Sequence, residues 1–108
     1  MILVYPIPEQ GWDIPSRLAK QLLFNSKDTI SVKYNVVSKR NYEVINNFDG
    51  IGYRENLVRI YPMRILCNTY QEDRCISALN GAPLYYDDDH LSNVGAKLIV
   101  NEVMRQLK

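Results

Sequence analysis

The sequence has no excess of charge of either sign and no long hydrophobic run. Its 108 residues carry 13 Lys and Arg against 12 Asp and Glu, which gives a net charge of +1. So small a charge provides no broad electrostatic field for nucleic acid, and we expect no nucleic-acid partner. No apolar stretch reaches the roughly 20 residues that a membrane-spanning helix needs. These two absences exclude the commonest basic and membrane-embedded classes of protein.

Internal repeats, low-complexity tracts and linkers rich in Pro, Gly or Ser are also absent. We therefore treat residues 1–108 as one piece, with enough apolar side chains for one small core. The opening Met-Ile-Leu-Val-Tyr-Pro is too short for a secretory signal and lacks its basic flank. If Met1 is the natural start, we expect a cytoplasmic protein.

Hydrophobic periodicity predicts strands that alternate with helices. Short apolar runs at 2–6 and 57–61 predict strands, the first of them buried. Helical spacing of apolar residues predicts helices over 14–24 and 36–48, and a last helix capped by Ser92. A single turn at 63–66 and an extended stretch at 84–86 complete the pattern. This order favours an α/β arrangement with a mostly parallel sheet, in which functional loops gather at the carboxyl ends of the strands.

The sequence contains only two cysteines, Cys67 and Cys75. The segment between them is polar and predicts a loop. Spacing alone leaves two interpretations open, a disulfide and two unrelated thiols. A disulfide would imply an oxidising compartment, which conflicts with the missing secretory signal.

The only histidine, His90, lies in the segment Tyr-Tyr-Asp-Asp-Asp-His-Leu-Ser, three residues after Asp87. At this spacing a carboxylate can accept a hydrogen bond from the ring Nδ1 and fix the tautomer. The other ring nitrogen, Nε2, would then be free to act as a general base toward a hydroxyl nucleophile. The pattern indicates two of the three members of a catalytic triad.

Two other interpretations of this acidic segment stay open. Three aspartates before a helix are typical of residues that complement the helix dipole and cap its amides. The Asp-Asp-Asp-His cluster could instead contribute ligands to a divalent cation, but no second cluster of ligands completes a coordination shell. We expect neither a metal ion nor another cofactor.

The motif Asp87-x-x-His90, followed by Leu-Ser-x-x-Gly-Ala, resembles the last sequence block of SGNH (GDSL-type) hydrolases. The longer string Leu-Tyr-Tyr-Asp-Asp-Asp-His-Leu-Ser resembles the SGNH domain fused to integral-membrane acyltransferases that O-acetylate bacterial surface polysaccharides such as O-antigen. This resemblance implies that Asp87 orients His90, and that His90 serves as general base and then as general acid for a serine nucleophile.

Two further segments resemble the same subfamily, so that the similarity extends from about Leu3 to Leu107. The segment Val4–Pro15 is similar to its strand and following loop, and Cys67 and Cys75 are similar to its cysteine pair. The resemblance therefore implies a disulfide, a periplasmic location for the parent protein, and an SGNH (flavodoxin-like) three-layer α/β fold.

The chain departs from the family pattern because it has no Gly-Asp-Ser motif, and the glycine and asparagine of the second and third blocks cannot be assigned. None of its serines follows a strand-turn signature that would expose a nucleophile; they are Ser16, Ser26, Ser31, Ser38, Ser77 and Ser92. We therefore expect residues 1–108 to be the C-terminal part of a single SGNH domain whose N-terminal strand-helix units are missing. The uncovered sheet edge would favour self-association.

The resemblance predicts the C-terminal portion of a serine esterase or O-acyltransferase that acts on an acyl ester or a cell-surface polysaccharide. Its expected partners are the missing N-terminal part of the domain and a membrane acyltransferase domain in the parent. The alternative is a non-catalytic carbohydrate-binding or interaction module on an SGNH scaffold. Trp12 and Tyr86 are the candidate substrate-binding residues, with packing as the other interpretation of Trp12, since lone aromatic side chains usually serve burial. Tyr85 and Tyr86 should point to opposite faces, so that at most one of them lines the site.

Overall fold

The computed structural model describes residues 1–24 and 30–107. Its elements follow in the order β1 (Ile2–Val4), α1 (Ile14–Leu23), β2 (Ser31–Lys33), α2 (Tyr34–Asp49), β3 (Val58–Ile60), α3 (Pro62–Leu66), β4 (Arg74–Ile76), β5 (Ala78–Leu79), β6 (Ala82–Pro83) and α4 (Asn93–Leu107). The predicted α/β class is confirmed. None of the described helices is long and apolar enough to cross a membrane.

The strands of the described chain pair in three separate two-stranded sheets. β1 and β3 are parallel, with Leu3 opposite Arg59. β2 pairs with β4, and β5 pairs with β6, both antiparallel. The parallel pair matches the expected arrangement, and the antiparallel pairs were not predicted. They are two or three residues long, so they are too short to display the alternation that identifies a strand in sequence.

The first strand is shorter and more exposed than the sequence predicts. It covers Ile2–Val4 and not residues 2–6, and 41% of Ile2 and 43% of Val4 remain accessible to solvent. The prediction that it is buried was therefore wrong, because none of the described elements covers these side chains. Of the residues 2–6, only Tyr5, which follows the strand, is buried.

Local signals at the helix ends agree with the predicted boundaries. The Asp13 carboxylate caps α1 by accepting the amide of Ser16 at 3.0 Å, and Pro15 occupies the first turn. Ser92 precedes α4, and its Oγ accepts the amide of Gly95 at 3.2 Å. The predicted Ser92 cap is thus confirmed.

The main hydrophobic core lies directly beneath the segment that bears His90. Its buried members are Ile14, Leu18, Ile30, Leu66, Ile76, Leu84 and Tyr85. Leu84 and Tyr85 immediately precede residues 86–90, so the core fixes the start of the loop that bears His90.

Cys67 and Cys75 form a disulfide, with their Cα atoms 3.9 Å apart. Both residues are buried, and Cys75 lies in β4 opposite Val32 of β2. The disulfide implied by the resemblance is confirmed. The prediction that the whole segment is a loop was wrong at its end, because pairing with β2 draws Cys75 into a strand. The bond joins the end of α3 to β4.

Gly95, in the first turn of α4, lies against the backbone of Leu84. A Cβ at this position would overlap the Leu84 carbonyl oxygen. We expect Gly95→Ala to lower the free energy of unfolding by about 1–3 kcal/mol, because α4 must shift to relieve the overlap. Urea unfolding measures the change. Gly50→Ala is the matched control, since Gly50 has a helical φ of −64° and its Cβ would meet only atoms at 3.4 Å. Equal effects of the two substitutions would contradict this account.

Candidate active site

The loop of residues 86–90 carries the candidate site and joins the β5–β6 hairpin to α4. The Tyr86 amide donates to the His90 carbonyl at 3.0 Å, and a single antiparallel bridge joins Tyr85 to Leu91. The predicted extended stretch at 84–86 therefore forms only this bridge. The loop follows the antiparallel strand β6 and not a strand of the parallel pair. It is nevertheless hydrogen-bonded to the segment after β1, because the backbone amides of Gln10 and Ile14 donate to the Asp88 and Asp87 carbonyls. The closed backbone turns the side chains of Asp87 and His90 toward solvent.

Asp87 and His90 are hydrogen-bonded as their three-residue spacing predicts. Asp87 Oδ2 lies 2.8 Å from His90 Nδ1. Asp87 Oδ1 accepts the backbone amides of Asp89 at 2.9 Å and of His90 at 2.7 Å. Because the backbone holds one carboxylate oxygen, the other is fixed in position to orient the imidazole ring.

A second carboxylate, which the sequence analysis did not single out, also reaches the ring. Asp89 Oδ1 lies 2.8 Å from His90 Nδ1. The Asp89 side chain is 43% exposed, against 33% for Asp87, and only Asp87 accepts the two backbone amides described above. The Nδ1 proton can be donated fully to one acceptor, and the fixed carboxylate of Asp87 is the better placed of the two.

The same three side chains have the spacing of metal ligands. One ligand atom each from Asp87, Asp89 and His90 lies within 4.8 Å of the others. Hard divalent cations take six or more ligands, mostly oxygen atoms of the protein and of bound water. Three side chains at the surface would therefore supply only part of the coordination shell. The expectation that no metal is required stays a prediction.

The electrostatics of the loop favour an ion pair. Partial burial raises the pKa of Asp87, but hydrogen bonds from the Asp89 and His90 amides and from the His90 ring outweigh it and lower this pKa to about 2. The hydrogen bond to Asp87, followed by the negative charges of Asp87 and Asp89, raises the pKa of His90. Desolvation and the charge of Asp88 raise the pKa of Asp89. Asp87 is therefore the carboxylate that stays ionised as the pH falls.

The raised pKa of His90 can be measured directly, because the chain has one histidine and its ring signals need no assignment. We expect an NMR titration midpoint above the ordinary value of 6.5. Asp87→Asn should move the midpoint down, since it removes the hydrogen-bonded negative charge that favours the imidazolium. Glu43→Gln, on the exposed face of α2, is the control and should leave it unchanged. A midpoint that does not respond to Asp87→Asn would rule out the pair.

The predicted substrate-binding aromatics differ in their relation to the pair. The Tyr86 ring stacks on His90, with centroids 5.4 Å apart and planes at 19°. Tyr86 is exposed and Tyr85 is buried, so they point to opposite sides as predicted. Trp12 lies in the loop before α1, and its described ring contact is with the Arg17 guanidinium, 4.3 Å from the centroid. The structure thus stacks Tyr86 on the histidine of the pair. The segment that contains Trp12 is held against the same loop, because the backbone amides of Gln10 and Ile14 donate to the Asp88 and Asp87 carbonyls at 2.9 and 3.4 Å. Substrate binding by either aromatic stays a prediction.

A buried polar network holds the loop from below, and no motif predicted it. Gln10 Nε2 donates to Tyr85 Oη at 3.3 Å, the Ser77 hydroxyl donates to Gln10 Oε1, and Tyr85 Oη donates to the Pro8 carbonyl at 2.7 Å. The backbone amide of Gln10 donates to the Asp88 carbonyl at 2.9 Å. The partners are 67 to 77 residues apart in sequence, so no local pattern could have identified them. The network ties the Pro8–Gln10 segment to the site.

Three of the described serine hydroxyls have hydrogen-bond partners other than His90. Ser92 Oγ donates to the Pro83 carbonyl at 2.7 Å, and the hydroxyls of Ser77 and Ser31 contact Gln10 and Arg74. Among residues 1–24 and 30–107, no hydrogen bond joins a serine hydroxyl to His90. Ser26 lies outside the described residues. Within the part of the chain that the structure describes, the Asp87–His90 pair therefore has no serine hydroxyl hydrogen-bonded to it.

Comparison with known proteins places these residues in a family. A family model described as "SGNH domain (fused to AT3 domains)" matches residues 1–105. Searches of curated proteins and of solved structures found no match. The matched range includes the opening strand, the disulfide and the Asp87–His90 loop, and it confirms the resemblance seen in the sequence. This chain belongs to the family of SGNH domains that are fused to AT3 domains.

Proposed function

We propose that this chain supplies the aspartate and histidine of a Ser-His-Asp triad that transfers an acyl group, and that the serine lies in another segment of the same domain. The observation that carries the proposal is the hydrogen bond of 2.8 Å between Asp87 Oδ2 and His90 Nδ1, with the other Asp87 oxygen held by two backbone amides. A carboxylate fixed in this way is what a catalytic histidine requires.

The geometry supports the following proposed roles for the two residues. Asp87 keeps the proton of His90 on Nδ1, so that Nε2 carries the lone pair. Nε2 takes the proton from the serine hydroxyl as its oxygen attacks the acyl carbonyl, and then returns that proton to the leaving oxygen. The resulting acyl-serine is attacked by water or by a sugar hydroxyl, whose proton passes to Nε2. Nε2 then gives this proton to the serine oxygen as the acyl–serine bond breaks, which restores the free serine. Asp87 stabilises the imidazolium in both steps without itself taking a proton.

The proposed reaction is O-acetyl transfer to or from a cell-surface polysaccharide such as O-antigen. Membership in a family fused to AT3 domains supports acyl transfer as the chemistry. The His90 side chain is well exposed, which leaves room for a large acceptor. The disulfide supports a periplasmic setting for the parent protein, because such bonds persist in oxidising compartments.

The proposed partner of the first strand is the remainder of the domain. β1 presents the exposed apolar side chains of Ile2 and Val4 beside the still more exposed Met1. Additional strand-helix units packed on this surface would bury these apolar side chains. The same units would supply the proposed nucleophilic serine to the domain that contains His90. In their absence the surface favours self-association, which light scattering on the isolated chain detects as a mass above that of one copy.

The proposal is tested with the complete domain, read in frame from the DNA upstream of codon 1. It is incubated with acetylated and deacetylated polysaccharide, and acetyl groups are counted by mass spectrometry. We expect acetyl groups to be removed or transferred, and the activity to vanish in His90→Ala. Tight polysaccharide binding without any change in acetylation would instead identify a carbohydrate-binding module.

A further inference from the structure

A cleft of about 300 Å³ opens at the carboxyl ends of the parallel strands β1 and β3. Tyr5 follows β1 and Tyr61 follows β3, and both line the cleft together with one face of α2. None of the lining residues belongs to the loop of residues 86–90. The carboxyl ends of parallel strands are where α/β proteins bind ligands, and this volume is at the lower end of the range of ligand sites.

The floor of the cleft is built from fixed aromatic rings. The Tyr5 ring packs edge-on against the Phe48 ring, with centroids 5.3 Å apart. It lies tilted against the Tyr61 ring, with centroids 4.4 Å apart. Tyr5 Oη donates to Asp49 Oδ1 at 2.6 Å. Burial, followed by the hydrogen bonds to Asp49 and Tyr61, raises the pKa of Tyr5 to about 12. The floor is therefore rigid and neutral before any ligand arrives.

The wall formed by α2 presents a tyrosine surface with polar groups beside it. Tyr34, Ser38, Tyr42 and Asn46 all line the cleft at intervals of four residues, which places them on one face of the helix. Tyr42 is 62% exposed, so its ring is accessible. Exposed tyrosine rings provide apolar stacking surfaces, and the hydroxyl and amide groups provide hydrogen bonds.

The charges in the cleft are balanced. Asp49 is at the end of α2, and the Arg64 guanidinium of α3 lies 3.8 Å from the Tyr61 ring centroid. Because these two charges are opposite in sign, the cleft has no net charge that would favour an anion or a cation. A neutral ligand with several hydroxyl groups can bond to both, because a carboxylate accepts and a guanidinium donates.

We infer that this cleft binds a neutral pyranose unit of a polysaccharide, with its C–H face on Tyr42 and its hydroxyls on Asp49, Asn46 and Arg64. The identification of the polysaccharide as the acyl acceptor or donor rests on the proposed function. The cleft adds to the site at His90 a second point at which the sugar chain is held. Binding energy at a position remote from the reacting hydroxyl serves to orient it.

The inference is tested by NMR on the 108-residue chain, titrated with maltose, lactose and chitobiose. We expect at least one disaccharide to shift the amide signals of the cleft residues, with a dissociation constant in the millimolar range. Tyr42→Ala should weaken binding by about five- to tenfold, as loss of an aromatic contact does. Tyr53→Ala is the matched control, because Tyr53 is 88% exposed and does not line the cleft.

The inference is overturned if none of the disaccharides shifts the cleft signals, or if Tyr42→Ala binds as well as the unsubstituted chain. It is also overturned if tetramethylammonium or inorganic phosphate shifts these signals and the sugars do not. His90→Ala separates this inference from the proposed function. It should abolish acyl transfer in the complete domain and leave disaccharide binding unchanged. A complete domain that binds sugar in the cleft but never transfers an acyl group would refute the proposed function alone.

Discussion

In the complete domain, Asp87→Asn is expected to lower kcat by about 10⁴-fold, the size of effect seen when a triad aspartate is replaced. Asp89→Asn should lower kcat only several-fold. The two carboxylates approach the same Nδ1 atom at 2.8 Å. The difference arises because the backbone amides of Asp89 and His90 hold Asp87 in place, so that only Asp87 can impose one tautomer on the ring. The Asp89 substitution is therefore a control of nearly identical chemistry and position.

Turnover of p-nitrophenyl acetate measures both effects, and thermal unfolding checks that each variant is folded. A large loss in Asp89→Asn with little change in Asp87→Asn would transfer the orienting role to Asp89. Comparable activity in both variants and in the unsubstituted domain would show that the hydrogen bond at His90 has no part in catalysis.

The isolated 108-residue chain is expected to hydrolyse p-nitrophenyl acetate no faster than free imidazole. None of the described serine hydroxyls is hydrogen-bonded to His90, so we expect no acyl-serine intermediate. The oxyanion-hole donors are expected from the rest of the domain. Joining the chain to a segment that supplies the serine and these donors should raise turnover by at least about 10³-fold, since the loss of a single oxyanion donor already costs about 10²–10³ in kcat.

Turnover by the isolated chain that exceeds free imidazole and disappears in His90→Ala would contradict this expectation. It would show that a nucleophile exists within these 108 residues. Ser92→Ala is an informative companion variant, because Ser92 follows His90 by two residues and its hydroxyl caps α4. We expect it to affect stability and not turnover.

The helices were predictable from sequence because each carries a strong local signal. Leu18 with its apolar neighbours marks α1, Pro15 and Asp13 mark its start, and Ser92 marks the start of α4. The strands β2, β4, β5 and β6 were missed because their pairing is set by contacts across the fold. Cys75 illustrates the difficulty: the residues that precede it are polar, and its pairing with Val32 of β2 makes it part of a strand.

The candidate site was predictable only in part. Asp87 and His90 were identified because these two residues lie three positions apart in one loop, so a short segment carries their whole interaction. The approach of Asp89 to the same ring nitrogen depends on how the loop closes, which spacing alone does not determine. Gln10 could not be identified, because its partners Ser77 and Tyr85 are remote in sequence. The burial of Gln10 is explained by its hydrogen bonds to Ser77 and Tyr85, which form only in the folded chain.

Covalent labelling of the complete domain with a fluorophosphonate most directly tests the claim that His90 activates a serine outside these residues. The probe forms a stable bond with an activated serine, and peptide mass spectrometry locates it. We expect the label on a serine of a Gly-Asp-Ser segment upstream of Met1, and a labelling rate reduced by at least about 10³-fold in His90→Ala. A label on one of the serines of this chain, or a rate that does not depend on His90, would contradict the account.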